Sequence, residues 1–390
     1  MRQQDLTPAR RRQLIACAPP HGHCKALLPP ATPRTLTLSH EASASIQQAS
    51  AALGRLHAAT RLLPNTGLIT RTLARREAVQ SSQIEGTRTQ LSELLEYEAT
   101  RSLDGSNPDA QVTERYVIAL DRGLQSLRTP DDGGITLELV HALHRTLMED
   151  AAPHVNAGAW RDSQAWIGAG RIEDATFVPP PPNYIDECMR ELERSMLRYE
   201  RGDDEFWELS IVVRLALTHA QFETIHPFAD GNGRVGRLLM PLMLAEAGYP
   251  ALYLSGYLLR YRQAYYAALA GVQLREEWDN WIGFLCRAIV AACDTSIAIA
   301  EDMNLMAERW QAQLSDLRKD AAARKVPRLL LGHPIIGINE LASLLGTSFQ
   351  TASTAVELLV ERGILHSPSP ATRRGRVFRA RELLDRLERD

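Results

Sequence analysis

One stretch of the chain, residues 226–237, holds a set of side chains that could carry out a reaction on a phosphate compound. It reads His-Pro-Phe-Ala-Asp-Gly-Asn-Gly-Arg-Val-Gly-Arg and runs straight into an apolar helical segment, with Phe228 available as an apolar anchor. Its glycines can adopt positive φ angles, so that successive N–H groups converge on an anion beside the positive end of the helix dipole. The stretch therefore predicts a phosphate-binding loop that opens a helix.

The charged groups of this loop suit transfer chemistry. Arg234 and Arg237 lie three residues apart on the first helical turn, where they can hold consecutive phosphates of a polyphosphate. Asp230 would repel a bare phosphate, but a Mg²⁺ ion placed between them would bridge the two. Imidazole titrates near neutral pH, so His226 suits the removal of a proton from an attacking hydroxyl. The alternative, a histidine that caps a helix beside solvated arginines, does not account for all these groups occurring together.

The loop matches the signature His-Pro-Phe-x-Asp-Gly-Asn-Gly-Arg-x-x-Arg at every fixed position, and on it the chain resembles the Fic family of protein adenylyltransferases. The resemblance covers roughly residues 38–293. It implies transfer of AMP from ATP to a Ser, Thr or Tyr hydroxyl of a target protein, with Mg²⁺ as cofactor. It also implies that His226 is the general base and that Asp230 holds the Mg²⁺ ion.

The same resemblance implies which residues hold the nucleotide. Asn232 and the amides of Gly231 and Gly233 would contact the α-phosphate region, and the two arginines would contact the outer phosphates. Tyr265-Tyr266 resembles the paired tyrosines of the family, which places Tyr266 on the adenine base. Packing of both tyrosines in the core is the alternative. The complete implied set is Gly231, Asn232, Gly233, Arg234, Val235, Gly236, Arg237 and Tyr266.

A second family element lies upstream, in the sequence Ser-Ser-Gln-Ile-Glu-Gly at 81–86. The i, i+4 spacing puts Ser81 and Glu85 on one helix face, which is commonplace when taken alone. Beside the Fic motif it resembles the inhibitory Ser/Thr-x-x-x-Glu-Gly/Asn element, completed here by Gly86. The resemblance implies that Glu85 pairs with Arg237 and takes the guanidinium that would otherwise bind the γ-phosphate. A further reading has Glu85 positioning water for the reverse, AMP-removing reaction.

Residues 160–182 depart from the helical pattern and predict a short β-hairpin around a glycine-rich turn. Such a hairpin is either a loop without function or a docking strand for an extended peptide, because its open edge offers unpaired amides and carbonyls. The family resemblance favours docking, since members carry a flap here that aligns the target segment. The implied target-docking residues are Trp166, Ile167, Phe177, Val178 and Pro179.

Apolar periodicity elsewhere predicts a mainly α fold: a helical core with the β-hairpin flap, plus a C-terminal winged helix-turn-helix domain. Gly86 and Gly248 are expected to end helices, and Pro241 should kink the helix that contains it unless it is accommodated. Helices are predicted over 38–61, 70–84, 109–127, 137–148, 184–199, 206–224, 234–247, 261–270, 278–294 and 297–323.

The expected domain order follows from shifts in composition. It comprises an extended N-terminal arm at 1–37, a Fic catalytic domain at 38–300 that includes the inhibitory helix 70–86 and the flap 160–182, a linking helix at 301–325, and a winged helix-turn-helix domain at 326–390.

Within the C-terminal domain, helices are predicted over 338–346 and 349–362, with strands at 364–366 and 376–379. A DNA-binding surface would combine the start of the second helix with the wing, and acidic residues on that helix weaken it. Dimerisation or protein docking is the alternative use of such a module. The residues concerned are Ser348, Phe349, Gln350, Thr351 and Ser353 on the helix, Glu357 and Glu361 as the acidic pair, and Arg373, Arg374 and Arg376 in the wing.

Composition sets outer limits on these readings. The 390 residues are 45% hydrophobic and 23% charged with a net charge of −3, which is typical of a soluble globular protein and favours no particular macromolecular partner. We expect a cytoplasmic protein, because no membrane span or signal sequence is evident and the five cysteines form an odd, scattered set. One local group could hold zinc or belong to a draped arm. It consists of Cys17, His21, His23 and Cys24.

The leading hypothesis is therefore an autoinhibited, Mg²⁺-dependent protein adenylyltransferase. The alternative is a winged-helix transcriptional regulator whose Fic core senses nucleotide. Phosphoryl transfer is disfavoured, because the loop keeps the complete Gly-Asn-Gly turn and both arginines. The expected partners are ATP and a target protein, with a second copy of the chain and DNA at 326–390 as candidates, and no membrane.

Overall fold

The computed structural model describes residues 1–101, 108–128, 134–152, 155–203, 208–367 and 377–389. The described chain is mainly helical with a few short strands, which confirms the predicted helical fold class. Its helices are α1 Pro8–Arg12, α2 His40–Leu62, α3 Thr66–Ile84, α4 Leu91–Thr100, α5 Asp109–Ser126, α6 Leu137–Leu147, α7 Ile185–Leu192, α8 Ile211–Ile225, α9 Asn232–Glu246, α10 Ser255–Arg260, α11 Arg262–Arg275, α12 Trp278–Gln313, α13 Ala322–Leu329, α14 Ile338–Leu345, α15 Phe349–Glu361 and α16 Arg381–Glu388. Its strands are β1 Leu14–Ala16, β2 Lys25–Leu27, β3 Ile335–Gly337 and β4 Val377–Arg379.

The chain divides into two compact units, each built from two stretches. The first comprises Met1–Arg55 and Ile118–Cys293, and the second comprises Leu56–Val117 and Asp294–Asp390. This partition differs from the predicted boundaries at 300 and 326. The predicted domain order treated sequence neighbours as spatial neighbours, whereas each unit combines segments that are far apart along the chain.

The first unit is organised around α8 and α9, which carry the predicted loop between them. Almost every side chain of both helices is buried, and the buried set includes charged residues such as Glu223 and Arg237 beside the apolar ones. Trp281 on α12 is fully buried and donates its indole N–H to the carbonyl of Ala216 on α8 over 2.7 Å. α9 continues through the buried Pro241 without a break. The loop therefore joins two rigid core helices.

α12 takes the place of two predicted helices, at 278–294 and 297–323. It also differs from the predicted linking helix at 301–325. α12 is a single helix of 36 residues, since the polar residues near 295 include no glycine or proline that would end it. Its most apolar 18-residue window has a mean hydropathy of 1.7, enough by length and composition to cross a bilayer, and 56% of that window is buried inside the protein. A core helix passes the same test.

The N-terminal segment is not the extended arm that its prolines suggested. Pro8 stands at the first position of α1, where a proline favours a helix, and the Thr7 hydroxyl caps it by accepting the Arg10 N–H. β1 and β2 then form an antiparallel hairpin. The Arg10 side chain is buried and donates to the carbonyl of Val272 over 2.9 Å. The segment is thus part of the first unit's core.

The flap is a hairpin with a single bridge, between Ile167 and Phe177, which confirms the predicted pairing in its shortest form. Its outer edge is occupied by the chain itself, because the Leu27 N–H at the end of β2 donates to the Val178 carbonyl over 2.9 Å. Side chains on both faces are covered as well: Phe177 packs with Leu6, Leu27 and Leu274, and Val178 packs with a cluster around Cys17. The predicted open edge is therefore closed along this strand.

The second unit joins the helix that carries Ser81 and Glu85 to the C-terminal segment. Thr72 on α3 donates its hydroxyl to the Leu331 carbonyl over 2.6 Å, and the Arg71 guanidinium donates to the Gly332 carbonyl over 3.0 Å. α4, for which the sequence pattern predicted no helix, contacts β3. It begins with a capping box formed by Gln90 and Glu93. The C-terminal segment therefore packs with α3 and α4 in one compact unit.

Within the C-terminal segment, α14 and α15 confirm the two predicted helices, and the Ser348 hydroxyl caps α15 by accepting the Thr351 N–H over 3.2 Å. β4 confirms the second predicted strand, but its partner is β3, which precedes both helices. Of the first predicted strand, only His366 makes a bridge. The wing arginines at 373, 374 and 376 lie outside the described residues, and the winged-helix assignment stays a prediction.

Packing around α9 generates a test of the first unit. A Cβ at Gly123 on α5 would lie 2.8 Å from the buried side chain of Leu242 on α9, whereas a Cβ at Gly54 on α2 would meet nothing within 4 Å. Alanine in a helix interior stabilises by about 0.5–1 kcal/mol, and overpacking costs about 1–3 kcal/mol. We expect Gly54→Ala to raise the melting temperature and Gly123→Ala to lower it, as measured by calorimetry. Equal shifts in both variants would contradict this packing.

Candidate active site

The 226–237 loop is held in shape by its own residues. His226 ends α8 in a left-handed conformation with φ of 50°, and Gly231 begins α9 with φ of 79°. Between them the Asn232 side chain accepts the Phe228 N–H and donates to the Phe228 carbonyl, each over 2.8 Å. Asn232 is only 2% exposed, and both polar ends of its amide are used. Its side chain therefore braces the loop, and its predicted contact with the α-phosphate region stays a prediction.

Phe228 is the anchor that the sequence predicted. It is fully buried, and its ring stacks on the imidazole of His144 with centroids 3.7 Å apart. His144 on α6 in turn bridges two backbone groups, since its Nδ1 accepts the Gly158 N–H over 2.8 Å and its Nε2–H donates to the Asp230 carbonyl over 3.0 Å. This bonding pattern requires a neutral imidazole. His144 thus supports the loop from below.

A buried arginine outside the loop fixes the backbone at His226. The Arg161 guanidinium donates to the carbonyls of His226, Ser163 and Pro180 over 2.8, 2.8 and 2.5 Å. The Arg161 N–H also donates to the Pro227 carbonyl over 2.9 Å. Burial lowers the pKa of Arg161 to about 10, which still leaves it charged at neutral pH. Arg161 therefore ties both ends of the flap to the position that presents His226.

The His226 imidazole is partly exposed and faces a buried acidic side chain, that of Glu223. Its side chain is 22% exposed, and its Nδ1 lies 3.9 Å from a carboxylate oxygen of Glu223 one turn earlier on α8. Glu223 itself is 8% exposed. A carboxylate at this distance favours a proton on the imidazole electrostatically. His226 thus keeps part of its side chain in solvent while its Nδ1 faces Glu223.

The first turn of α9 presents the groups that would hold an anion. The N–H groups at the start of a helix have no intrahelical acceptor, and the helix dipole adds partial positive charge there. Gly233 is already helical, so among the loop glycines only Gly231 uses a positive φ. Arg234 is 8% exposed and lies 3.5 Å from Asp230, whereas Arg237 is 1% exposed. The turn is therefore cationic, and both of its arginines are buried.

Asp230 is the candidate metal ligand and is the most open side chain of the loop, at 61% exposed. One of its oxygens accepts the Gly231 N–H over 2.6 Å, and the other lies 3.5 Å from Arg234. An exposed carboxylate beside an anion-binding turn fits the way Mg²⁺ binds in nucleotide sites, through one or two carboxylates and substrate phosphates. The residues present therefore fit a Mg²⁺ ion that arrives with its nucleotide.

Two loop positions, Val235 and Gly236, face the core. Val235 is fully buried, and a Cβ at Gly236 would lie 2.9 Å from Glu223 and 3.3 Å from the ring of His219. Only glycine lets α9 approach α8 so closely at this point. His219 is fully buried, lies 2.7 Å from the Tyr265 hydroxyl, and has its pKa lowered to about 3 by burial. Val235 and Gly236 therefore shape the loop from the core side.

Comparison with known protein families tests the predicted resemblance to the Fic family. The Fic/DOC family N-terminal profile matches residues 43–125. The Fic/DOC family profile matches residues 134–244, which contain the whole 226–237 loop. Residues 43–125 and 134–244 are thus similar to the two Fic/DOC domains. The predicted family resemblance is thereby confirmed.

Similar proteins carry the same family name. The chain is 29% identical over 157 residues to the protein adenylyltransferase fic-1 of Caenorhabditis elegans, which covers 39% of this chain and 28% of that protein. It is also 29% identical over 222 residues to the protein adenylyltransferase Fic of Drosophila willistoni, covering 55% of this chain and 40% of that protein. The matches therefore span less than half the length of these relatives.

Solved structures show the same fold. A Fic family protein from Desulfovibrio desulfuricans G20 superposes with a TM-score of 0.54 at 21% identity, covering 88% of this chain and 97% of that one. Fic-1 from Caenorhabditis elegans superposes with a TM-score of 0.51 at 21% identity, covering 67% of this chain and 74% of that one. At this level of identity the likeness concerns the fold alone.

The adjacent tyrosines Tyr265 and Tyr266 lie in different environments. Tyr265 is 1% exposed and belongs to the core beside His219 and Trp281, so the alternative of core packing holds for it. Tyr266 is 42% exposed, and the Arg262 guanidinium lies 5.7 Å from its ring centre. An exposed ring is available for stacking on a base. The adenine role predicted for Tyr266 stays a prediction.

The predicted docking residues of the flap separate into two groups. Phe177, Val178 and Pro179 are buried, so their side chains belong to the core and not to a docking surface. Alternation along a strand does not reveal that both faces are covered, and here the N-terminal segment covers them. Trp166 and Ile167 are half-buried and keep part of their surface in solvent. Only these two stay candidates for contact with a target.

The predicted inhibitory element ends α3 as expected. Gly86 has φ of 103°, its N–H donates to the Gln83 carbonyl, and the Thr87 N–H donates to the Ser82 carbonyl, which together form a Schellman motif. The C-cap prediction is confirmed. Ser81 is fully buried, whereas Glu85 is the exposed C-cap residue just beyond the helix. Glu85 is thus presented by a defined turn and not by a helix face.

Removal of the Arg161 guanidinium gives the first test of the site. In Arg161→Met the carbonyls of three segments lose their donors inside the protein, which we expect to cost about 3 kcal/mol or more of unfolding free energy. Amide hydrogen exchange at Phe228 should become faster, because the backbone beside it is released. Arg171→Met, at an exposed flap arginine, serves as the control. Equal stability of the two variants would rule out the bracing role.

The pH dependence of stability gives a second test. Burial lowers the pKa of His144 to about 4, whereas an unfolded histidine titrates at about 6.5. Between these values the unfolded state binds more protons, so the stability contributed by neutral His144 is present above about pH 6.5 and is lost as the pH falls toward 4. Between pH 7 and pH 5, the free energy of unfolding should fall by roughly 2 kcal/mol less in His144→Gln than in wild type, as measured by urea unfolding. His40→Gln, at an exposed site, should leave the loss unchanged.

Proposed function

We propose that this chain is an autoinhibited protein adenylyltransferase that transfers AMP from ATP to a hydroxyl side chain of a target protein. The observation that carries the proposal is the placement of His226. The backbone at its left-handed φ is fixed by Arg161, and its imidazole precedes the N-terminus of α9 by six residues. A proton acceptor and an anion-binding helix start are thereby held in one braced loop. Curated relatives named as protein adenylyltransferases support the same activity.

In the proposed reaction, the target hydroxyl gives its proton to His226 as its oxygen attacks the α-phosphorus of ATP. A bond forms between that oxygen and phosphorus, the bond to the bridging oxygen of the β-phosphate breaks, and pyrophosphate leaves. Glu223, 3.9 Å from the imidazole, stabilises the protonated form of His226 that results. The step therefore needs no redox partner and no covalent enzyme intermediate.

The start of α9 holds the phosphates during this step. Backbone N–H groups of the first helical turn bind the α-phosphate region, and Arg234 contacts the outer phosphates. Arg237 completes that contact when its guanidinium is available. Asp230 would hold Mg²⁺, which supplies neutralisation of the phosphate charge. The adenine base stacks on Tyr266, and the target segment passes along Trp166 and Ile167.

Autoinhibition is proposed to act on Arg237. A guanidinium that is 1% exposed is costly unless an anion or carbonyl groups satisfy it. Glu85 is a candidate for that anion, since the Schellman turn gives it a fixed backbone position. A carboxylate that holds Arg237 removes both the charge and the donor geometry that the γ-phosphate requires. Under this proposal ATP binds productively only after the pair separates.

Labelling with nucleotide tests the activity and the brake together. Full-length wild type, Glu85→Gly, His226→Ala and the double variant are incubated with Mg²⁺ and ATP labelled on the α-phosphate, and covalent label on protein is counted. We expect Glu85→Gly to increase labelling by roughly 5- to 150-fold, the usual range of a regulatory coupling. His226→Ala should reduce labelling of the Glu85→Gly form by about 10²–10⁴-fold. His40→Ala, at an exposed histidine outside the loop, should leave labelling unchanged.

The outcomes separate the competing readings. Equal labelling of wild type and Glu85→Gly would reject the brake while leaving the transfer activity in place. Tight binding of ATP without covalent label in any variant would reject the transfer activity and favour a nucleotide-sensing regulator. In that case salt-dependent binding of DNA by the full chain, lost in Arg373→Ala/Arg374→Ala, would identify residues 326–390 as the DNA-binding part.

A further inference from the structure

A second group of reactive side chains lies away from the Fic loop, where the N-terminal hairpin meets the flap. His23, Cys24 and Glu173 each offer one metal-binding atom, and these atoms all lie within 4.8 Å of one another. The His23 Nε2 is 3.2 Å from a carboxylate oxygen of Glu173. The residues come from two segments 150 positions apart, so the fold and not local sequence brings them together.

Both segments that carry these residues are fixed by independent contacts. On the hairpin side, the Cys17 N–H donates to the Cys24 carbonyl over 3.1 Å, which closes the turn that contains His23. On the flap side, a short 3₁₀ turn over Ile172–Asp174 presents Glu173, and Ile172 is buried in the cluster that contains Cys17. The Ala18 N–H also donates to the Gln164 side chain over 3.2 Å. The three ligand-bearing positions are therefore held before any ion binds.

We propose that His23, Cys24 and Glu173 form a binding site for a divalent cation that accepts a thiolate ligand, such as Zn²⁺. Imidazole, thiolate and carboxylate are the three ligand types that zinc takes in proteins, and a site with three protein ligands leaves the fourth position for water or another ligand. One thiolate and one carboxylate also balance the double positive charge. An ion bound there would tie the N-terminal hairpin to the turn of the flap.

The structure selects this set over the one that the sequence indicated. Sequence proximity grouped Cys17, His21, His23 and Cys24, but Cys17 is 5% exposed and packs in an apolar cluster. The ring of His21 instead packs edge-on against Trp166, with centroids 5.4 Å apart. Glu173, which no local pattern indicated, takes their place. A site for Mg²⁺ or Ca²⁺ is disfavoured, because those ions prefer oxygen ligands throughout.

Cobalt and zinc titration of the full chain tests the proposal. After treatment with a chelator, the protein is titrated with Co²⁺, and the thiolate-to-cobalt absorption band is recorded; Zn²⁺ is then added in competition. We expect one ion per chain and a band that Zn²⁺ abolishes. Cys24→Ser should remove the band, while His23→Ala and Glu173→Gln should weaken Zn²⁺ binding by at least about tenfold.

Matched controls use residues of the same types outside the set. Cys188→Ser and His21→Ala should bind Zn²⁺ as wild type does, because neither residue belongs to the cluster. Calorimetric melting of each apo variant confirms that it is folded. Absence of stoichiometric Zn²⁺ binding by wild type, or wild-type affinity in both Cys24→Ser and Glu173→Gln, would overturn the proposal. Loss of binding in His21→Ala would overturn the ligand assignment. None of these readouts depends on nucleotidyl transfer.

Discussion

The two hydrogen bonds between the Asn232 side chain and the Phe228 backbone are the interaction on which the site depends. They close the loop so that α8 can end and α9 can begin within a few residues of each other. Phe228 is thereby fixed in the core, and the two residues that follow it, Ala229 and Asp230, are exposed. A loop closed in this way needs no ligand to take its shape, and preorganisation of this kind is a large part of catalytic power.

Around that loop, the protein buries polar groups whose protonation is set by their surroundings. Arg161 stays charged and binds only carbonyl groups, whereas His144 stays neutral because burial lowers its pKa. Each would be costly if its partners were lost, and each contacts the backbone and not a substrate. His226 adopts a left-handed φ that a non-glycine residue adopts at a cost of about 1 kcal/mol or more. The buried bonds offset that cost.

The sequence allowed the loop to be predicted because all its functional groups are contiguous. The groups that hold it are not, since Arg161 and His144 lie 65 and 86 positions from the atoms that they bind. The role of Asn232 was missed because an amide serves a phosphate and a backbone equally well. The flap was predicted as a hairpin from its alternation, but that pattern could not reveal that the N-terminal segment covers Phe177 and Val178.

Long-range packing of the same kind connects the C-terminal segment to α3 and α4. Carbonyl groups of Leu331 and Gly332 accept hydrogen bonds from Thr72 and Arg71 on α3, and Arg379 on β4 pairs with Glu96 on α4 over 2.6 Å. α3 ends in the turn that presents Glu85. A rearrangement of the C-terminal segment must therefore break these bonds or carry α3 with it. The C-terminal segment and the turn that presents Glu85 are therefore linked within one folded unit.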